Sequence, residues 1–216
     1  MIAASRQQPA ARLLPYGEAA WLLELEQRID ERVVARAAAI ADAWEQAGHG
    51  TATPAYASVL LRYDPLRTEP EAAAAAARTI AAAIGDAALP TGRRIEIPVR
   101  YDGPDLADVA AASGCNPDEL AALHAGRDYR AYFLGFLPGY AYCGELDPRI
   151  IATRLEVPRP RVPAGSVAVA DGQTAIYPFE SPGGWRIIGS TEQRVFDPAA
   201  DRPALIQPGD TVRFVR

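Results

Sequence analysis

The amino-acid sequence predicts an α+β protein in which a small α/β N-terminal domain is followed by a β-rich domain. Up to residue 97, short apolar runs alternate with helical patterns, which is typical of a packed α/β unit. Beyond Gly126 the helical period disappears, and Gly and Pro turns separate short strand-like segments. Because Pro98–Pro104 lies between the two patterns, we predict domains at residues 1–97 and 98–216. With 49% hydrophobic residues, the chain can bury a substantial core.

The first domain opens with a strand and a helix. Ala19–Glu26 is a compact apolar run that predicts a buried strand. Apolar residues then recur every three or four positions over Glu31–Ala47, with Asp30 as the expected N-cap and Gly48 as the stop. Tyr56–Tyr63 predicts a second strand.

A second helix and a third strand complete this unit. Thr68 and Glu71 form a capping-box signature ahead of an alanine-rich helix that runs to about Ile84. Arg94–Val99 contains the alternation of a strand. A short additional strand at Thr51–Thr53 would give a ferredoxin-like arrangement.

The second domain begins with two short helices and continues with strands. Asn116 and Glu119 predict the capped start of the second helix, and Gly126 its end. Gly and Pro turns between the later strands favour a small β-barrel or sandwich. The predicted strands are Tyr129–Leu134, Ser166–Ala170, Gln173–Tyr177, Trp185–Ile188 and Thr211–Val215.

The pair Asp171-Gly172 predicts a two-residue hairpin turn, which sets the register of the strands on either side. One face then carries large apolar side chains. The other carries small residues that end in a hydroxyl pair, and we expect that face to border a cavity. The predicted cross-strand pairs are Val167–Ile176, Val169–Thr174, Ser166–Tyr177 and Ala168–Ala175.

Composition argues against several functional classes. The net charge is −5 without a basic stripe, so the sequence does not favour nucleic-acid binding. No apolar run is long enough to span a bilayer, and the N-terminal MIAASRQQPAARLLPYG lacks the apolar core of a signal peptide. We therefore expect a cytoplasmic protein in which Cys115 and Cys143 are free thiols.

The absence of lysine from the sequence excludes three kinds of site within it: a P-loop lysine, a Schiff-base lysine and a biotinyl lysine. The two histidines, His49 and His124, are too far apart along the chain to supply a zinc set, so no metal site is expected.

An ordered series of motifs resembles one protein family. The matching segments are Phe133–Tyr140, Leu146–Arg149, Pro160–Val167, Gly172–Thr174, Ile176–Pro178 and Glu180–Trp185, with Tyr16-Gly17, Pro54–Tyr56, Tyr63–Pro65 and Leu205–Asp210 elsewhere. This series resembles the B-type subunit of bacterial 5-oxoprolinase, also called the KipI-like or allophanate hydrolase subunit 1 family. One segment departs from the family, since Tyr140–Glu145 stands where Phe-Pro-Tyr-Leu-Gly-Gly is usual.

The resemblance implies a fold and a function. The implied fold is a small α/β domain followed by a cyclophilin-like β-barrel. The implied function is a share in an ATP-dependent 5-oxoprolinase that opens 5-oxo-L-proline to L-glutamate together with two further proteins, the A-type subunit and the KipA-like C-type subunit. ATP with Mg²⁺ is then expected in the assembled hetero-oligomer, with no cofactor site evident in this chain. Two alternatives stay open: inhibition of a sensor histidine kinase, and a carboxyltransferase half-domain of an allophanate or urea carboxylase type.

Opening a lactam with ATP requires groups that hold the substrate carboxylate and shield the activated amide. Arg161 is the main candidate for binding a carboxylate or phosphate, and Arg159 the second, because a guanidinium offers bidentate donors. A solvated or ion-paired arginine is the alternative. Four glycines would let backbone N–H groups approach an anion, or they serve turn geometry alone. They are Gly135, Gly139, Gly183 and Gly184.

Further candidates supply hydrogen bonds, walls and catalysis. Ser166, Gln173 and Tyr177 are expected at a pocket rim, with structural bonding as the alternative for Gln173. Four aromatic residues would line a pocket or contact another subunit: Phe136, Tyr140, Tyr142 and Trp185. For Trp185, packing in the core is favoured. The catalytic candidates are Ser181 and His124, which ends a helix whose dipole favours a charged imidazole. Cys143 is expected to be inert.

Overall fold

The structure, a computed structural model, describes residues 11–28, 30–85 and 91–216. Residues 1–10 of the N-terminal stretch considered above lie outside this part. The chain divides into two compact units, Met1–Leu89 and Pro90–Arg216. In the described part of the chain, no helix has both the length and the apolar character that a membrane span requires.

The first unit is a four-stranded antiparallel sheet with two helices. Its described elements are β1 (Arg12–Pro15), β2 (Ala20–Glu24), α1 (Glu31–Gln46), β3 (Ala52–Pro54), β4 (Ser58–Arg62) and α2 (Pro70–Ala83). The strand order is β1-β2-β4-β3. Apolar residues of both helices, among them Ile40, Trp44 and Ala77, pack with Leu23 and Leu61 of the sheet.

The helix boundaries test two capping predictions. Asp30 caps α1 as expected, and its carboxylate accepts a hydrogen bond from the Arg32 backbone N–H at 2.8 Å. The capping box predicted from Thr68 and Glu71 is wrong. Helix α2 begins after Glu69, which makes no side-chain cap, because Pro70 with its fixed φ already occupies the first turn.

The sheet of the first unit has the neighbour relations of a ferredoxin-like plait, but its edge differs from the prediction. The strand at Arg94–Pro98, here called β5, pairs in parallel with a strand of the second unit. The edge position beside β2 is taken by β1, in antiparallel register from Arg12↔Glu24 to Pro15↔Trp21. The boundary predicted at 97/98 therefore assigned β5 to the wrong unit, because its backbone hydrogen bonds are made in the second one.

The second unit is a curled seven-stranded sheet with two helices and a small two-stranded sheet. Its described elements after β5 are α3 (Leu106–Ala112), α4 (Pro117–Ala125), β6 (Asp128–Leu134), β7 (Ala141–Gly144), β8 (Arg159–Val162), β9 (Ser166–Ala170), β10 (Gln173–Ile176), β11 (Ser181–Gly183), β12 (Arg186–Ser190) and β13 (Thr211–Val215). The large sheet has the order β12-β9-β10-β7-β6-β13-β5, and β8 pairs with β11.

The two edges of the large sheet meet. Just beyond β5, Arg100 and Ser190 of β12 exchange two backbone hydrogen bonds of 2.9 and 2.8 Å. This bridge turns the curled sheet into a barrel, which removes the exposed edges that an open sheet would leave. The predicted small β-barrel is therefore present. The capping box of α4 is also present, with Asn116 and Glu119 bonding reciprocally.

The predicted hairpin register is confirmed, including the pairs Val167↔Ile176 and Ala168↔Ala175. Alternation along these strands separates two buried clusters on opposite faces of the sheet. One face contains Val167, Val169 and Ile176 in the larger core, against which α3 and α4 pack. The other face contains Ala168, Ala175 and aromatic residues of the smaller cluster. That second face leads to the candidate site.

Candidate functional site

The second face of the barrel sheet borders a cleft of about 290 Å³, which we call the aromatic cleft. Its lining residues are Phe136, Tyr140, Tyr142, Arg154, Pro158, Tyr177, Pro182, Gly183, Gly184 and Trp185. The walls come from β7, from the end of the β9–β10 hairpin and from the segment around β11. The sequence predicted a cavity beside the small-residue face of this hairpin, and the structure places one there.

The aromatic walls pack mainly edge to face. The Tyr140 ring lies 5.2 Å from that of Tyr177 and 5.9 Å from that of Trp185, with interplanar angles near perpendicular. Tyr142 contacts Trp185 at 5.7 Å and stacks on Phe133 at 4.6 Å. Such pairs favour fixed ring positions, so the cleft is a preformed apolar slot.

Arg154 is the one charged residue among the described residues that line the cleft. Its guanidinium lies 6.0 Å from the centre of the Trp185 ring, and its Nε donates to Asp171 at 3.2 Å. The Leu155 N–H donates to the Gly184 carbonyl at 2.7 Å, which fastens the loop that carries Arg154 to the cleft. Arg154 could not be predicted from the sequence, because a long loop places it at the cleft and no local pattern marks it.

The hydroxyls of Tyr142 and Tyr177 stay protonated at neutral pH. Burial raises the pKa of Tyr142 and of Tyr177, while the Arg154 charge lowers both. The Tyr177 hydroxyl also accepts hydrogen bonds from the Trp185 backbone and the Tyr140 side chain, which lower its pKa further. The Tyr177 oxygen is therefore oriented by two donors and keeps its own proton for donation.

Phe136 has the most unusual backbone of the cleft. Its φ of 66° lies in the left-handed region, which a bulky side chain adopts only at a cost of about 1–3 kcal/mol. Its side chain is 59% exposed and lies edge-on to Tyr140 and Tyr177. Strain combined with exposure of an aromatic ring is typical of a functional position.

Tyr140 is only 1% exposed and Tyr142 is half-buried, in contrast to Phe136. Of the aromatic residues expected to wall a pocket or meet another subunit, Phe136 is therefore the exposed one, because Tyr140 and Tyr142 pack into the cluster below the cleft.

The other predicted binding residues are dispersed. Gly135 and Gly139 line a second, shallower cleft of about 520 Å³, which shares Phe136 with the first. Gln173 is 4% exposed, and its Nε2 has no hydrogen-bond partner among the described residues. Arg161 is on the surface, with its side chain 77% exposed and paired with Glu180 at 2.7 Å.

Two of the remaining candidates are buried in the sheets. Ser166 is 5% exposed and accepts the Tyr177 backbone N–H through its carbonyl at 2.9 Å. Ser181 is 8% exposed in β11, and its Oγ has no partner among the described residues. The second arginine candidate, Arg159, forms an ion pair with buried Asp105 at 2.7 Å.

His124 is fully buried on the face opposite the aromatic cleft. Thr174 Oγ1 donates to the Ala168 carbonyl, so toward His124 Nε2, at 2.9 Å, it accepts. Nε2 therefore carries the proton, and Nδ1 accepts from the Tyr101 hydroxyl at 2.8 Å. Burial lowers the pKa of His124 to about 3, so the expectation of a charged imidazole at the helix end is wrong.

Cys143 lies in the same core as His124 and is 2% exposed. Burial raises the pKa of its thiol to about 12, which disfavours the nucleophilic thiolate. Cys115 and Cys143 are both free.

The two adjacent cleft glycines differ in the space around them. A Cβ added to Gly183 would collide with the hydroxyl and ring of Tyr177, whereas a Cβ on Gly184 would have its nearest neighbour at 3.7 Å. We expect Gly183→Ala to lower the free energy of unfolding by about 1–3 kcal/mol, because the wedged Tyr177 ring cannot move freely. Gly184→Ala is the matched control, with a change within about 0.5 kcal/mol. Denaturant unfolding of both variants checks this, and equal stabilities would contradict it.

Comparison with known proteins identifies the family to which this chain belongs. Residues 11–206 match the model described as carboxyltransferase domain, subdomain C and D. A curated relative, the 5-oxoprolinase B-type subunit of Escherichia coli O157:H7, is 49% identical over 129 residues, which cover 58% of this chain and 59% of that protein. The chain spans 53–60% of the length of the curated relatives that it matches.

Two solved structures share the fold of this chain. The conserved uncharacterized protein PH0987 from Pyrococcus horikoshii is 41% identical, with 94% of this chain and 96% of that chain covered and a TM-score of 0.56. Urea amidolyase of K. lactis, at 18% identity, covers 95% of this chain and 15% of that chain with a TM-score of 0.82, and so shows the fold alone. The chain therefore belongs to the family of carboxyltransferase domains, subdomain C and D, and the resemblance to the B-type subunit of 5-oxoprolinase that its motifs indicate is confirmed.

Proposed function

We propose that the chain is one component of an ATP-dependent 5-oxoprolinase and that the aromatic cleft is its share of the substrate site. The observation that carries this proposal is the cleft itself, an apolar slot with tyrosine hydroxyls and one guanidinium. Those features suit 5-oxo-L-proline, a small lactam ring that bears a single carboxylate. The curated relatives at 45–49% identity, each named as the B-type subunit of a 5-oxoprolinase, support the same assignment.

In this proposal the chain binds and shields the ring. Tyr140, Tyr177 and Trp185 enclose its faces and exclude water from the amide while it is activated. The Tyr177 hydroxyl, held by two donors, offers its proton to the carbonyl oxygen of the lactam. The overall reaction consumes two waters: one replaces the ring C–N bond and gives L-glutamate, and the other is used as ATP becomes ADP and phosphate.

The aromatic cleft does not fit ATP with Mg²⁺. A triphosphate requires several cationic or backbone donors, and the described lining supplies one arginine. The described residues also contain no cluster of three His, Cys, Asp or Glu side chains that would hold a metal ion. We therefore expect the nucleotide site to lie outside the aromatic cleft and to depend on the partner proteins, and derive no step through ATP in this chain.

The proposed function predicts that activity depends on assembly. The purified chain alone is expected to release no L-glutamate from 5-oxo-L-proline and ATP, whereas the chain with its A-type and C-type partners does. Glutamate and ADP release, measured for the chain alone, for each pair and for the complete set, checks this. Activity of the chain alone would contradict the shared site, and inactivity of the complete set would contradict the oxoprolinase assignment.

Carboxyl transfer is the second candidate, favoured by the description of the family as a carboxyltransferase domain. The same preparation separates the two functions. Biotin-dependent carboxylation of an amide without glutamate release would support carboxyl transfer, whereas tight binding to a sensor histidine kinase with neither activity would support the inhibitor alternative.

A further inference from the structure

We propose that Arg154 is the carboxylate anchor of the aromatic cleft and that Asp171 competes with the ligand for its guanidinium. That the ligand is a cyclic amide with a carboxylate attached to its ring rests on the proposed function. Arg154 would then determine which lactams the cleft accepts, and Asp171 would pair with the Arg154 guanidinium while the cleft is empty.

The geometry leaves Arg154 available to a ligand. Its contact with Asp171 uses Nε, at 3.2 Å, and the described residues show no hydrogen bond from either terminal nitrogen. Both terminal nitrogens are therefore left to bind a carboxylate that enters the cleft, through two parallel hydrogen bonds. The Trp185 ring, whose centre is 6.0 Å from the guanidinium, also stabilises its positive charge through a cation–π interaction.

The pair with Asp171 is weak enough to be exchanged. The Arg154 and Asp171 side chains are 60% and 53% exposed, and ion pairs of that kind add little to stability because water screens them. A ligand carboxylate beside the aromatic walls is less solvated, so its attraction to the same guanidinium is stronger.

The position of the charge relative to the walls determines how a ligand lies. Arg154 lines the cleft together with Tyr142 and Tyr177, and its guanidinium lies 6.0 Å from the centre of the Trp185 ring. A ring whose carboxylate is bound to Arg154 consequently extends over the aromatic residues. A neutral lactam has no carboxylate to exchange with Asp171, so it gains only the apolar contacts and the hydrogen bond from Tyr177 to its carbonyl oxygen.

The experiment uses the assembled complex, with 5-oxo-L-proline and with 2-pyrrolidinone, the same ring without the carboxylate. Arg154→Gln is expected to raise KM for 5-oxo-L-proline by about 10- to 100-fold, the range for loss of a charged hydrogen-bonded pair. The KM for 2-pyrrolidinone is expected to be the same in Arg154→Gln as in the unmodified complex. The matched control is Arg94→Gln, since Arg94 also lies 3.2 Å from an aspartate, is half exposed and is on the edge strand β5.

Asp171→Asn gives a change of opposite sign. Asn accepts the positive φ of 50° at this turn position, so the hairpin is retained. Removal of the competing carboxylate is expected to tighten 5-oxo-L-proline binding by about two- to fivefold, as for a weak exposed ion pair. Unchanged or weaker binding would overturn the competing role of Asp171.

A binding measurement on the full chain separates this inference from the proposed function. Titration of the purified chain with each lactam, followed by tryptophan fluorescence and ligand-observed NMR, reports occupancy without turnover. Binding of 5-oxo-L-proline that Arg154→Gln abolishes supports the anchor even where the complex is inactive, which would then refute only the oxoprolinase assignment. An active complex whose KM is insensitive to Arg154→Gln would overturn the anchor.

Discussion

Trp185→Ala is expected to lower the free energy of unfolding of the second unit by about 3–5 kcal/mol, the usual cost of deleting a large buried aromatic side chain. Trp185 is 5% exposed and packs against Tyr140 and Tyr142 in the smaller apolar cluster. Removing it would leave a void on the cleft side of the barrel sheet that the surrounding rings cannot fill. Differential scanning calorimetry checks this, with the transition of the second unit followed by near-UV circular dichroism.

Trp185→Phe is the control, because it keeps an aromatic ring in the wall and is expected to lose less than half of that stability. Trp185 is also the one tryptophan of the sequence in the second unit, so fluorescence cannot compare this variant with wild type. A thermal transition that Trp185→Ala leaves unchanged would show that the side chain serves binding alone.

Acid is expected to destabilise the second unit through His124. Burial lowers the pKa of His124 to about 3, against about 6.5 in the unfolded chain, so the unfolded state binds one more proton between these pH values. Stability is therefore fully present above pH 6.5 and falls as the pH is lowered, by about 1.4 kcal/mol per pH unit. Between pH 6.5 and pH 4 the loss amounts to about 3 kcal/mol.

Denaturant unfolding at a series of pH values checks the slope, and NMR checks its source. The sequence has two histidines, so His49→Gln leaves His124 as its only imidazole. Its ring signals are expected to show no protonation down to about pH 4 in the folded protein. An imidazole that titrates near pH 6.5 without unfolding would contradict the buried neutral state. His124→Gln, where it folds, is expected to lose the acid slope.

Local patterns in the sequence were sufficient for much of the second unit. The turn Asp171-Gly172 and the alternation on either side determine which side chains oppose one another, because a two-residue turn allows one register. The capping box of Asn116 and Glu119 acts within a single helical turn, so it too could be read locally. The cavity beside the small-residue face followed from that register.

Only the tertiary structure decided where distant segments meet. Strand β5 has an unremarkable alternating sequence, and its membership of the barrel depends on parallel pairing with β13, more than a hundred residues along the chain. The neutral state of His124 depends on burial beneath residues of other strands, which outweighs the helix dipole. Arg154 and Arg161 carry the same charge, and the sequence does not distinguish their roles. In the structure, the loop that is hydrogen-bonded to Gly184 places Arg154 at the cleft, whereas Arg161 pairs with Glu180 at the surface. Charge and hydrogen-bonding capacity are local properties of a residue, whereas burial and the identity of its partners arise only when the chain has folded.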